Sequence, residues 1–147
     1  MSAGWKGSNM YKTILMPLDG TATDRGIIEH IKQLAAILHS HVVVFHVATS
    51  VAAQWHGPDA GGEAVEASQA YLDKIKGEFE AAGISVEAEL AYGDPVREIV
   101  KRSRQEGCQL VAMGTHGHRG VADLFLGSTA SPVQHSVNVP VLLLRTR

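Results

Sequence analysis

The chain has 147 residues, 45% hydrophobic, 19% charged and 5% aromatic, with a formal net charge of −2. This length fits one domain with a real core, and a near-neutral balance without a basic run argues against nucleic acid as a partner. Apolar runs stop far short of the ~20 residues of a membrane-spanning helix, and the single cysteine, Cys108, excludes an internal disulfide framework and suits a reducing cytoplasm.

Residues Met1 to Met10 include small and polar residues, one Lys and one Trp, and lack the apolar centre of a signal peptide. They read as a flexible leader or cloning remnant, with Met10 itself a candidate start, and the folded domain as residues 11–147. Lys12 to Leu18 read as a first strand, apolar at consecutive positions as in a parallel sheet covered on both faces. A turn follows at Asp19-Gly20, and Thr21, Thr23 or Asp24 can cap the next helix. In that helix Ile27, Ile28, Ile31, Leu34, Ala35 and Leu38 recur at helical spacing, giving one buried stripe. Val42 to Val47 form the second strand.

Residues 49–62 carry the turns His56-Gly57-Pro58 and Gly61-Gly62 and form the longest irregular segment. A helix from about Glu63 to Ala82 follows, with Ala67, Tyr71, Leu72, Ile75 and Phe79 on one face and Gly83 as its cap. Ile84, Val86, Ala88 and Leu90 alternate with polar residues, which describes a half-exposed edge strand. Asp94-Pro95 is a helix start, with the aspartate capping and the proline in the first turn. Ile99 and Val100 face the core, and Gly107 closes the segment.

A fourth strand from about Gln109 to Met113 leads into a stretch with Gly114, Gly117, Gly120 and Gly127. Glycines after a strand let the backbone turn tightly and approach a ligand. Gly127-Ser128-Thr129 is expected to open a helix running from about Thr129 to Ser136, with free N–H groups and two hydroxyls facing an anion. A phosphate-holding loop is one reading; a glycine-rich surface loop that holds nothing is the other. Val139 to Leu144 form the fifth strand.

The strand–helix alternation implies an α/β domain with a parallel sheet and right-handed crossovers. Ligands of such sheets lie beyond the carboxyl ends of the strands, where strand order reverses. If the first and fourth strands are neighbours there, Asp19 and Gly114 face one crevice. Asp19 suits a ribose, a base or a water-bridged metal, and equally suits a turn or cap role. Arg119 matches phosphate oxygens or is simply solvated. His116, His118 and Asp123 are the only candidate bases near the loop, and none is singled out.

Several chemistries are missing. There is no G-x-x-x-x-G-K-[ST], no G-x-S-x-G, and the glycines run G-x-x-G-x-x-G after the fourth strand rather than G-x-G-x-x-G after the first. The eight histidines are not at metal-ligand spacing. Mg²⁺ brought in by phosphate oxygens is the metal this chain suits.

Gly114-x-x-Gly117, nine residues, then Gly127-Ser128 resembles the G-2x-G-9x-G-(S/T) signature of the ATP-binding branch of the universal stress protein family. Tyr11 to Gly20 are similar to the family's opening strand and its aspartate, Phe45-His46-Val47 to the end of its second strand, and Gly93-Asp94-Pro95 to its third helix start. Asn138 to Leu144 are similar to its closing strand, so the likeness spans nearly the whole chain. The resemblance implies an α/β fold with an open, twisted, five-stranded parallel sheet in the order 3-2-1-4-5 and helices on both faces. It implies a stress-response module that holds ATP, ADP or AMP, with Mg²⁺, between strands 1 and 4. By position, Pro17, Leu18 and Asp19 would line the adenosine side, with Asp19 on the ribose and Val47 against adenine. Met113, Gly114 and Gly117 would follow ribose and phosphates, and Gly127, Ser128 and Thr129 would hold the phosphates. Ala130 stands where some members carry another hydroxyl, and Gly20 in place of a bulkier residue suggests a looser Asp19 turn.

The resemblance further implies a homodimer through Val139–Leu144, and an edge strand this apolar invites pairing with its own copy. A regulatory binding module that acts through its dimer surface, the 49–62 loop or an unknown protein partner is the reading adopted. The alternative is an enzyme, a slow ATPase or related adenine-nucleotide hydrolase. Hydrolases of related fold carry Ser-Gly-Gly-x-Asp-Ser after strand 1, where this chain has Pro17-Leu18-Asp19-Gly20.

Overall fold

The computed structural model describes residues 10–48, 62–105, 107–116 and 121–146. Five strands carry the sheet: β1 (Thr13–Leu18), β2 (His41–Ala48), β3 (Ser85–Tyr92), β4 (Cys108–His116) and β5 (Val141–Thr146). Four helices are described between them: α1 (Arg25–Leu38), α2 (Gly62–Ala81), α3 (Pro95–Ser103) and α4 (Val121–Ser136). The strand order is β3-β2-β1-β4-β5 and every pairing is parallel. β1 aligns Thr13 with His41 and Leu18 with His46 on one side, and Leu15 with Val111 on the other. The order therefore reverses between β1 and β4, as the crevice argument requires.

The unbroken apolar runs of β1, β2 and β4 make sense once both faces are covered. Successive side chains point to opposite faces. Ile14, Met16, Val42 and Val44 pack with Ile27, Ile28 and Ile31 of α1 and Leu72, Ile75 and Phe79 of α2. Leu15, Val43, Phe45, Val47, Val111 and Met113 pack with Ile99 of α3 and Ala130 and Val133 of α4. Each fully buried Leu, Ile or Phe contributes about 1.5–3 kcal/mol by leaving water. β3 is an edge strand, as its polar alternation predicts, and Asp94 caps α3 by accepting from Arg97 N at 2.9 Å.

Several boundaries differ from the sequence reading. Leu34 and Leu38 are half-buried and Ala67 is exposed, because α2 meets the core only from Tyr71 onward. β4 continues through Gly114 to His116, paired with β5 from Val111↔Val141 to His116↔Thr146. β5 begins at Val141 rather than Val139: Pro140 has no N–H to give, and its carbonyl instead accepts from Val111 N at 3.0 Å. The largest change is α4, which starts at Val121 rather than near Thr129. Val121 to Leu126 contain no helix breaker, and one interior glycine at 127 costs only about 1 kcal/mol against alanine. The 49–61 part of the irregular segment lies outside the described residues.

Candidate functional site

At the carboxyl end of β1 the chain turns through Asp19-Gly20, and the turn is bound tightly. Asp24 sits at the junction of a 3₁₀ turn (Ala22–Asp24) and α1, yet its side chain caps neither. Its Oδ1 accepts from Asp19 N at 3.0 Å, and its Oδ2 accepts from Gly20 N at 2.8 Å and from the Tyr71 hydroxyl at 2.7 Å. Asp19 Oδ1 in turn accepts from Thr21 N at 3.0 Å and Thr21 Oγ1 at 2.7 Å. His46 Nδ1 donates to the Leu18 carbonyl at 2.8 Å. Gly20 has φ +85°, and a Cβ there would stand 3.4 Å from His46 Cε1. Glycine is thus what lets the turn close, and the expectation of a looser turn is corrected. The capping role suggested for Asp24 is corrected too; Thr21 caps the 3₁₀ turn.

Asp24 is 2% exposed. Burial pushes its carboxyl up to about 7, the Tyr71 hydrogen bond opposes this, and the Asp19 charge adds to it. Burial also raises the Tyr71 phenol, helped by its bond to Asp24. Burial raises the Cys108 thiol as well, which leaves it a small core group rather than a reactive one.

On the α3/α4 face of the sheet, beside the turn, Pro17, Leu18, Phe45, Val47, Pro95, Ile99, Met113 and Thr129 surround a small cavity of about 10 Å³. That holds about one water. The lining is apolar but for the Thr129 hydroxyl, and Thr129 is buried. β1 stops at Leu18, opposite His46, while β2 runs on to Ala48 and β4 to His116, so the cavity lies where the end of β1 leaves its neighbours standing. The cavity is an apolar hollow bounded by a polar turn.

Of the residues expected at the site, Pro17, Leu18, Val47, Met113 and Thr129 meet around this cavity, and Asp19 follows directly after Leu18. Gly114 lies within β4, opposite Leu144, and not in a loop. Gly127 and Ser128 lie inside α4, so the expected free N–H groups of a helix start are not at these positions. Gly117, His118 and Arg119 lie outside the described residues. Phe45, Pro95 and Ile99 were missed. Phe45 shares a face with Val47 two positions on, which is a usable signal; Pro95 and Ile99 read only as a helix start and core. Among the described residues no group of three or more His, Cys, Asp or Glu is placed to hold a metal ion, and no helix is long and apolar enough to cross a membrane.

The family model of the universal stress protein family matches residues 10–145. The Universal stress protein MJ0577 of Methanocaldococcus jannaschii is 26% identical over 159 residues, spanning 95% of this chain and 98% of that protein. A solved structure described as a structure-based assignment of the biochemical function of MJ0577 aligns with TM-score 0.79 at 28% identity, over 94% of this chain and 98% of that one. A universal stress protein in complex with cAMP shares the fold with TM-score 0.72 at 21% identity, over 94% and 99% of the two chains. The universal stress protein of Archaeoglobus fulgidus in complex with dAMP does so with TM-score 0.69 at 17% identity, over 91% and 98%.

Proposed function

This chain belongs to the universal stress protein family, and we propose that it is a regulatory module that binds an adenine nucleotide, ATP with Mg²⁺, in the crevice between β1 and β4. The observation that carries the reading is the convergence of Pro17, Leu18, Val47, Met113 and Thr129 on one apolar slot beside the Asp19 turn. A purine ring suits such a slot, and a ribose would meet the Asp19 carboxylate. That structural neighbours were solved with cAMP and dAMP supports adenine as the base. The slot must widen to admit a ring, since 10 Å³ is far below the several hundred Å³ of a typical ligand pocket.

The phosphates would be held by Gly114, Gly117, Gly127, Ser128 and Thr129. In a helix each N–H is bonded four residues back, so the amides of residues 127–129 become donors only if α4 opens before Gly127. An exposed helix end gives an anion about 0.3–1 kcal/mol, whereas micromolar affinity needs about 8 kcal/mol. Adenine burial and several loop amides must supply most of it. Among the described residues the slot is lined by one hydroxyl and no charged side chain. The module would act in the cytoplasm as a homodimer joined along β5, whose Leu143 is 39% exposed on the sheet edge. Calorimetric titration of nucleotide-stripped protein with Mg²⁺-ATP tests this. Gly117→Val and Gly127→Val should each abolish binding while the sheet stays folded; unchanged affinity in both would remove the phosphate-loop assignment.

A further inference from the structure

A buried polar cluster lies on the other face of β1 from the slot. Asp24 receives hydrogen bonds from two backbone amides of the Asp19 turn and from Tyr71, which sits 47 residues away on α2. We propose that Asp24 and Tyr71 form a proton-sensitive clasp that positions the Asp19 turn, so that nucleotide affinity depends on the ionisation of one buried carboxyl and on the seat of α2. This inference rests on the nucleotide-binding reading and names two positioning residues for that site.

The geometry is that of the carboxylate. Both oxygens accept, Oδ1 from one donor and Oδ2 from two, which fills three of the carboxylate's roughly four acceptor sites. Adding a proton, on the remaining Oδ1 site or on Oδ2 with the Tyr71 hydroxyl turned to accept, removes the charge that strengthens the bonds from the Asp19 and Gly20 amides, so the hold on the turn weakens. Burial raises this carboxyl to about 7, which brings the change into the neutral range. A groove of about 290 Å³ lined by Gly20, Thr21, Ala22, Arg25, Tyr71 and Lys74 runs alongside the cluster.

The other charged and titratable groups around Asp24 are few. Asp19 faces it from the turn and Tyr71 from α2. Arg25, next along α1, is tied to Glu78 at 2.7 Å and to Glu29 at 3.0 Å. Lys74 stands on the groove wall, and His46 reaches the turn from β2 through the Leu18 carbonyl. All of them remain in Asp24→Asn, so the groups that do not touch Asp24 contribute alike to both proteins; Asp19 and Tyr71 interact with it directly, and Tyr71→Phe removes one of the two.

The test is calorimetric titration with Mg²⁺-ATP from about pH 5.5 to about pH 8.5 on the wild type, Asp24→Asn and Tyr71→Phe, with circular dichroism to confirm the fold. The ratio of wild-type to Asp24→Asn affinity should rise roughly three- to tenfold across that range, with a midpoint near the carboxyl's own. Tyr71→Phe should keep the rise but move its midpoint to higher pH, because a hydrogen bond that favours the charged form is gone. A pure packing role would lower affinity by the same factor at every pH, and a flat ratio overturns the clasp while nucleotide binding stands. Absence of Mg²⁺-ATP binding by the wild type at every pH overturns the nucleotide reading and the clasp with it.

Discussion

At the residue scale, Asp24 shows how one side chain can serve function against stability. Its carboxyl is raised to about 7 by burial, against an ordinary value near 3.9 in the unfolded chain. The folded state therefore binds this proton more tightly than the unfolded state. The stability it contributes is fully present below about pH 4 and is lost as pH rises through about 7. Urea unfolding at about pH 5 and about pH 8 should show the wild type losing more stability with rising pH than Asp24→Asn, by one to a few kcal/mol given about 1.4 kcal/mol per pKa unit. Equal losses in the two proteins would contradict it. In the sequence this residue was one of three candidate helix caps, with Thr21 and Thr23, because a short polar side chain before an apolar stripe suits that position. Its actual donors include a tyrosine on another helix, which no local pattern reveals.

At the element scale, local chemistry was readable wherever one residue type decides the outcome. Asp94-Pro95 begins α3, and Gly83 with φ +77° follows α2. The start of α4 was not readable. Glycines on both sides of Val121–Leu126 suggest a loop, but an apolar, breaker-free hexapeptide is helical once continued by Ser128 to Ser136. This has a consequence for the proposed phosphate contacts, which require the helix to open ahead of Gly127. Gly127→Ala should strengthen the helix by up to about 1 kcal/mol and weaken Mg²⁺-ATP binding correspondingly, up to roughly fivefold. Thermal unfolding followed by circular dichroism, alongside calorimetry, measures both; tighter ATP binding in the variant would count against opening of α4.

At the scale of the whole molecule, the alternation of apolar runs and amphipathic stretches established a parallel sheet covered on both faces, and the two core layers match it. The alternation of β3 marked it as an edge strand, but β1, β2, β4 and β5 read alike, so the full strand order was beyond periodicity; it came from the resemblance and agrees with the order β3-β2-β1-β4-β5. That order puts β5 on an edge with Leu143 partly exposed. Under the proposed assembly, Leu143→Glu places like charges across a two-fold pairing and should shift sedimentation from dimer to monomer. A wild-type monomer would remove the dimer proposal. The most direct test of nucleotide binding is to denature freshly purified protein, identify any released nucleotide by chromatography, and titrate Mg²⁺-ATP into stripped protein. The account predicts an adenine nucleotide on release and saturable one-to-one binding per chain. ATP recovered intact favours the binding module, and ADP or AMP alone leaves hydrolysis open and calls for a turnover assay. No released nucleotide together with no binding would contradict the account, leaving the fold without the function assigned to its crevice.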